Sequence, residues 1–121
     1  DVGCGAGVDS IIAGLMVGPN GSVDGVDIVP EIIARAKKNL NQTTMNNVKF
    51  HTITGKILPF GDCAFDVIIS NGAINLIPDK DTSLKEILRV LKPEGRLLLA
   101  DQVAVGSIKT DMKERLANWF Q

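Results

Sequence analysis

The stretch Asp1-Val2-Gly3-Cys4-Gly5-Ala6-Gly7 places an acid just ahead of three alternating glycines, and the rest of the chain is organised around it. Glycines allow a tight backbone turn that β-carbons would block. The run that follows, Val8 to Val17, carries apolar residues at helical spacing and predicts a helix. Such a turn lets a ligand lie directly against the main chain and a helix N-terminus. The stretch therefore predicts a nucleotide-binding turn in a layered α/β fold.

A second acid follows at the end of the next predicted strand. Gly18-Pro19-Asn20-Gly21 is a turn by composition, and Ser22 to Asp27 reads as a short strand. Asp27 falls about 20 residues after the glycine loop, where a carboxylate can accept both hydroxyls of a ribose. Taken alone, Asp27 could equally be a capping or turn acid. Together, the loop and the spaced acid favour an adenosine-type ligand.

The remainder of the chain alternates between helical and extended patterns. It predicts, in order, a helix from Pro30 to near Asn41, a strand over 48–53, a strand over 65–71, a helix opened by Asp79 and Asp81, a strand over 96–100, and a last amphipathic helix that presents Ile108, Met112, Leu116, Trp119 and Phe120. Alternation of this kind predicts a doubly wound, mostly parallel α/β sheet. Its carboxyl edge, where ligands of such sheets bind, carries Ser70, Asn71 and Gly72 as candidate substrate-side residues.

Length and composition limit the protein to a few classes. The 121 residues form one domain at most, and 45% hydrophobic residues support a buried core. A net charge of −1 gives no reason to expect nucleic acid or an anionic membrane as partner. No apolar run approaches the ~18 residues that span a bilayer. Two cysteines make no disulfide framework and predict a reducing, cytoplasmic setting. No metal site is expected, and the oligomeric state is left open.

The chain begins inside the glycine motif, so that only Asp1-Val2 could belong to the strand before it. In a doubly wound sheet that strand is central. Its neighbours would lie about 9–10 Å apart without it, too far to hydrogen-bond. We therefore expect a fragment that lacks most of the central first strand and the C-terminal strands.

The opening stretch resembles the first motif of the class I S-adenosylmethionine (SAM)-dependent methyltransferases. The likeness continues through Gly25-Val26-Asp27, the segment 65–71 and the segment 89–96. Two stretches, 5–10 and 70–80, resemble the arsenite methyltransferase branch. The resemblance implies a Rossmann-like SAM-binding core over residues 1–121, a small-molecule methyl acceptor, and a set of cofactor-binding residues: Asp1, Gly3, Cys4, Gly5, Gly7, Asp9, Asp27, Ile28, Lys56, Ile57 and Asn71. Asp9 has a second interpretation, as an acid that favours the first turn of its helix.

The sequence departs from that family in two places. Lys56 stands where the family usually has an acid that accepts the adenine amino group, and a lysine cannot accept this hydrogen bond. The backbone N–H of Ile57 could still bond a ring nitrogen. Gly72 stands where the resemblance implies a cysteine thiolate for arsenic. An acceptor with an oxygen, nitrogen, carbon or sulfur nucleophile is therefore favoured, and arsenite stays open as the second candidate.

Three functions compete at this point. The first is a SAM-dependent methyltransferase, whose in-line displacement needs neither a metal nor a covalent intermediate, and no individual catalytic residue is assigned. The second is a SAM-binding module that has lost turnover, favoured by Lys56 and Gly72. The third, an NAD-linked oxidoreductase, is disfavoured because the loop reads GxGxG rather than GxGxxG. Asp27→Ala is predicted to weaken SAM binding by roughly 1–3 kcal/mol.

Overall fold

The computed structural model describes residues 1–54 and 57–103. The elements are α1 (Val8–Val17), β1 (Val23–Asp27), α2 (Pro30–Leu40), β2 (Val48–Thr52), β3 (Phe65–Asn71), a short 3-10 helix (Ile74–Leu76), α3 (Lys80–Val90) and β4 (Leu91–Ala100). The sequence predicted each of the helices α1, α2 and α3 and each strand. The predicted last helix, with Ile108 to Phe120, lies outside the described residues, as does Lys56.

Local chemistry accounts for where the helices begin. Gly7 precedes α1 with φ at +86°, which is the left-handed region that favours glycine. Pro30 opens α2, where its missing N–H costs no helical hydrogen bond. The carboxylate of Asp79 accepts the N–H of Thr82 at 3.1 Å and caps α3. The acids predicted to open α3 therefore act as its cap and first turn.

The strands form two parallel pairs that meet at Val2. β1 pairs with β2, and β3 pairs with β4. The N–H of Val2 donates to the carbonyl of Ile69 in β3 at 2.9 Å, and the N–H of Val26 in β1 donates to the carbonyl of Asp1 at 2.9 Å. The spatial order is thus β2, β1, Val2, β3 and β4. The prediction of a parallel α/β sheet of Rossmann type is confirmed.

On the amino-terminal side of Val2, the strands β1 and β3 do not pair with each other. Their facing sides line a cleft whose walls include the apolar side chains of Val26, Leu58, Phe60, Phe65 and Ile68. Residues 1–4 lie between the two halves. Besides the bonds of Asp1 and Val2, the N–H groups of Gly3 and Cys4 both donate to the carbonyl of Val26 at 2.9 Å.

The core consists of two buried clusters, and Val26 of β1 belongs to the one on the side of β3 and β4. One buried cluster surrounds Val26, Ile68 and Ile87, and packs α3 against β3 and β4. A second cluster, which includes Cys4, Ile33, Ala36 and Phe50, packs α2 against β1 and β2. The glycine loop lies against this second cluster, so its conformation is set by α2 and β2 as well as by its own sequence.

β4 begins earlier than predicted. The sequence indicated a break over residues 92–95 and a strand from Arg96, but the strand begins at Leu91, directly after α3. Leu91 pairs with Phe65, the register then shifts, and Arg96 pairs with Val67. Glu94 takes a φ of +64° within the irregular part. The Pro-Glu-Gly sequence is therefore a bulge inside the strand and not a loop before it.

None of the helices in residues 1–54 and 57–103 is long and apolar enough to cross a membrane.

Candidate functional site

The three glycines of the loop have three different surroundings. A β-carbon on Gly3 would lie 2.2 Å from Cβ of Ala73, and one on Gly7 would lie 2.5 Å from the ring of Phe50. A β-carbon on Gly5 would meet no heavy atom of residues 1–54 and 57–103 within 4 Å. Gly3 and Gly7 therefore allow close packing, whereas Gly5 borders open space. The loop can admit a ligand at Gly5.

Asp27 lies directly against the open part of the loop. One carboxylate oxygen, Oδ2, accepts the N–H of Gly5 at 3.0 Å, and the other, Oδ1, accepts the N–H of Val29 at 3.1 Å. A carboxylate offers about four acceptor sites, so each oxygen retains a lone pair. The two backbone bonds fix the orientation of the carboxylate at the end of β1. The structure thus brings together the loop and the acid that the sequence proposed as partners.

The side chains of Asp1 and Cys4 lie on the side of the loop that faces the interior of the protein. The carboxylate of Asp1 accepts the hydroxyl of Ser10, which is fully buried in α1, at 2.6 Å. The side chain of Cys4 is buried in the second core cluster, so only its backbone faces the loop. Burial, and then the negative charge of Asp27, raise the pKa of the Cys4 thiol to about 11. Cys4 is a neutral core side chain near pH 7.

The far side of the loop is closed by a contact between α1 and β3. The amide of Asn71 donates to the carboxylate of Asp9 at 3.1 Å, which joins the end of β3 to the first turn of α1. Gly72 follows with φ at +68°, and an added β-carbon there would have no heavy atom of the described part of the chain within 4 Å. Ser70 is 2% exposed, and its hydroxyl donates to the carbonyl of Val2 at 2.8 Å. Asn71 and Gly72 therefore border the open edge, while Ser70 lies beneath it.

Two exposed apolar side chains are present near the ends of β1 and β2. Ile28, directly after Asp27, is 67% exposed, and Ile57, in the segment after β2, is 74% exposed. The segment leaves β2 beside Asp27, because the N–H of Ile53 donates to the carbonyl of Asp27 at 2.9 Å. Lys56, which the sequence placed in the same segment, lies outside the described residues.

A network on α3 that the sequence analysis missed anchors this segment. The carboxylate of Glu86 accepts the N–H of Leu58 at 2.9 Å, and Arg89 donates to the carbonyls of Leu58 and Phe60 at 3.2 and 3.0 Å. The two side chains also pair with each other at 2.6 Å. Their spacing of three residues signals a helix pair. Nothing in that spacing indicates which distant backbone they hold.

The single histidine has a structural partner. Nε2 of His51 lies 2.7 Å from Oδ1 of Asp24, and the His51 ring meets Phe60 edge-on at 5.7 Å. Within residues 1–54 and 57–103, no group of three or more histidine, cysteine and acidic side chains has the arrangement of a metal site.

The comparisons with known proteins agree with this geometry. The family described as "Methyltransferase domain" matches residues 1–121. The arsenite methyltransferase of Halobacterium salinarum is 38% identical over 113 residues, which are 93% of this chain and 29% of that protein. The demethylmenaquinone methyltransferase of Lactococcus lactis subsp. lactis is 37% identical over 98 residues, which are 81% of this chain and 39% of that protein. The chain therefore spans well under half the length of these relatives.

A solved structure of a methyltransferase shares the fold of this chain. The crystal structure of an arsenic (III) S-adenosylmethionine methyltransferase from Chlamydomonas reinhardtii superimposes with a TM-score of 0.87 and 30% identity, covering 98% of this chain and 42% of that one. This chain has a parallel sheet, a glycine loop and an acid at the end of β1. Its family match and its relatives all indicate a methyltransferase domain. The chain belongs to the S-adenosylmethionine-dependent methyltransferase family.

Proposed function

We propose that the protein transfers a methyl group from SAM to a small-molecule acceptor at the carboxyl edge of the sheet. The observation that carries the proposal is the position of Asp27, whose carboxylate is held by the N–H groups of Gly5 and Val29 beside the open part of the loop. The remaining lone pairs of a charged acceptor suit the two hydroxyls of a ribose. The residues present therefore fit the nucleoside half of the cofactor.

The apolar side chains nearby fit the base. Ile28 and Ile57 would cover the faces of the adenine ring, since both are large, apolar and mostly exposed. The main chain near Gly5 would face the rest of the cofactor, because a side chain is absent there and the N-terminus of α1 follows. Asp9 and Asn71 would border the cofactor on the acceptor side.

The protein's task in methyl transfer is mostly positional. Bound SAM supplies an electrophilic methyl group with a good leaving group already in place. The chain must hold the acceptor in line with that methyl group, which lowers the entropic cost of bringing two molecules together. It must also exclude water from the reacting atoms. Asn71 and Gly72 lie where an acceptor would approach, at the end of the strand next to the loop.

The described cysteines argue against arsenic as the acceptor, although the relatives include arsenite methyltransferases. Thiolates are the ligands that soft metal ions and trivalent arsenic require. Gly72 has no ligand atom, the pKa of Cys4 is about 11, and Cys63 is exposed just before β3, at the opposite end of the strand from Asn71. We therefore propose an acceptor that offers an oxygen, nitrogen, carbon or sulfur nucleophile.

Binding of SAM, S-adenosylhomocysteine and NAD to the intact protein tests the ligand class. Asp27→Ala should weaken SAM binding by roughly 1–3 kcal/mol, because buried ribose hydroxyls would lose a charged acceptor. Asp27→Asn keeps the shape and should weaken binding in the same direction. Asp81→Ala, at an exposed acid on α3, is the matched control and should leave affinity unchanged. Equal affinity in the Asp27 variants and the unmutated protein would remove Asp27 from the site.

A second measurement separates an enzyme from a binding module. Time-dependent formation of S-adenosylhomocysteine in the presence of candidate acceptors is expected for an enzyme. SAM binding without such formation, across amine, hydroxyl, thiol and activated-carbon acceptors, would favour the module.

A further inference from the structure

Two buried oxygen atoms near the carboxyl ends of β3 and β4 receive no hydrogen bond from the part of the chain that the structure describes. They are Oδ1 of Asp101, which directly follows β4, and Oδ1 of Asn75, in the 3-10 helix after β3. Among residues 1–54 and 57–103, no group donates to either atom. The other oxygen of Asp101 accepts the N–H of Ile74 at 3.1 Å. The carboxylate is thus held by the residue next to Asn75, and the two acceptors belong to one locality.

Such an arrangement is costly without a ligand. Buried polar atoms in folded proteins are nearly always paired, and an unpaired acceptor loses its hydration without compensation. The penalty is larger when the atom belongs to a charged group. An ionised carboxylate can only accept, so no rearrangement of Asp101 itself satisfies Oδ1. The missing partner must be a donor.

The locality lies against the glycine loop. The N–H of Gly72 donates to the carbonyl of Ala100 at 2.8 Å, which ties the segment after β3 to the end of β4. Ala73 packs so closely on the loop that a β-carbon on Gly3 would lie 2.2 Å from its Cβ. Asn75 and Asp101 therefore adjoin the segment that separates the loop from the acceptor side. Among the described residues, none of those proposed to hold the cofactor donates a hydrogen bond to the two oxygens.

We propose that Asp101 and Asn75 bind an amino group of the methyl acceptor. This inference rests on the proposed function and adds to it the chemical class of the substrate. Two acceptor oxygens require two donors, and one of the oxygens is anionic. A protonated amine brings three N–H donors and a positive charge, whereas a hydroxyl brings one donor and none. A carboxylate on the ligand would be repelled and would leave both oxygens unpaired.

The test uses a pair of probes of similar size, phenethylammonium and 3-phenylpropanoate, titrated into the intact protein with and without saturating S-adenosylhomocysteine. The unmutated protein should bind the amine at least tenfold more tightly than the carboxylate. Asp101→Asn keeps an oxygen for the N–H of Ile74 and should reduce that preference to threefold or less. Asn75→Leu removes the second acceptor at similar volume and should weaken amine binding. Asp81→Asn, the charge-matched control, should keep the full preference.

Each outcome decides the inference. Equal binding of the two probes to the unmutated protein, or an undiminished amine preference in Asp101→Asn, would overturn it. A lower free energy of unfolding in Asp101→Asn with the preference intact would assign Asp101 to structure alone, which also overturns it. Failure of the unmutated protein to bind S-adenosylhomocysteine, with the amine preference retained, would contradict the proposed function and leave the amine site standing.

Discussion

Replacing single glycines by alanine should separate the loop's role in folding from its role in binding. Gly5 and Gly7 both take positive φ, at +52° and +86°, so an alanine at either position is strained. They differ in what a new methyl group meets. At Gly7 it would lie 2.5 Å from Cζ of Phe50 and 3.1 Å from Cβ of Ala36, both in the buried core. At Gly5 it would meet no atom of the described residues within 4 Å, and it would point into the space proposed for the cofactor.

The expected magnitudes follow from these contacts. The left-handed conformation costs a residue with a β-carbon about 1–2 kcal/mol. Forcing an extra methyl group into a packed core adds about 1–3 kcal/mol, because the Phe50 ring must move. Gly7→Ala should therefore lower the free energy of unfolding by about 2–5 kcal/mol. Gly5→Ala should lower it by about 1–2 kcal/mol, which is the conformational part alone.

Urea unfolding and calorimetric titration with S-adenosylhomocysteine measure the two effects separately. Gly18→Ala is the control for affinity, because Gly18 has a φ of +71° and no described atom within 4 Å but lies at the other end of α1. It should lose at least as much stability as Gly5→Ala, since its ψ of −174° lies in a region that is nearly exclusive to glycine, and it should keep normal ligand affinity. In Gly5→Ala the affinity should fall at least tenfold. Unchanged affinity in Gly5→Ala, or equal destabilisation in Gly5→Ala and Gly7→Ala, would refute the assignment of open and packed glycines.

Two further predictions concern side chains outside the loop. Hydrogen bonding to Arg89 lowers the pKa of Glu86 from its usual 4.5. The stability that the ionised Glu86 contributes is therefore complete above pH 4.5 and is lost as the pH falls through the lowered pKa. Between pH 7 and pH 3, urea unfolding should show a smaller loss of stability in Glu86→Gln than in the unmutated protein, and an equal loss would contradict this origin. At pH 8 a thiol reagent should label the exposed Cys63 and should not label Cys4 until the protein unfolds. The reason is that burial raises the pKa of the Cys4 thiol to about 11. Labelling of both cysteines at equal rates in the folded protein would contradict the burial of Cys4.

The sequence predicts the local elements well because their signals are local. The periodicity of α1, the proline at the start of α2 and the acids before α3 each act over a few residues, and all three helices begin where they indicate. β4 is the exception. Its early start at Leu91 depends on pairing with Phe65, which lies 26 residues away in sequence, and no local pattern reports that pairing. A Pro-Glu-Gly sequence usually breaks a strand, and here it forms a bulge.

The sequence named candidate site residues but could not give the orientations of their side chains. Motif spacing suggested that Asp27 lies near the loop, and the structure has the N–H of Gly5 donating to its carboxylate at 3.0 Å. The spacing of the motifs could not show that the side chains of Cys4 and Ser70 are buried, because both pack against residues from distant parts of the sequence. The Glu86 contact with Leu58 and the free oxygen of Asp101 likewise depend on tertiary arrangement. Residue type and spacing identify candidate groups, whereas packing decides which of them face a ligand.

The seam formed by residues 2–4 joins the glycine loop to both halves of the sheet. The N–H of Val2 donates to the carbonyl of Ile69 in β3, and the N–H groups of Gly3 and Cys4 donate to the carbonyl of Val26 in β1. Any opening of the seam must displace the loop, so a molecule that binds the loop opposes the opening. Ligand binding to the loop and the association of the two halves of the sheet are therefore linked equilibria. The amide hydrogens of Val2 and Val26 report on that linkage, because their exchange with solvent slows as the ligand concentration rises above its dissociation constant.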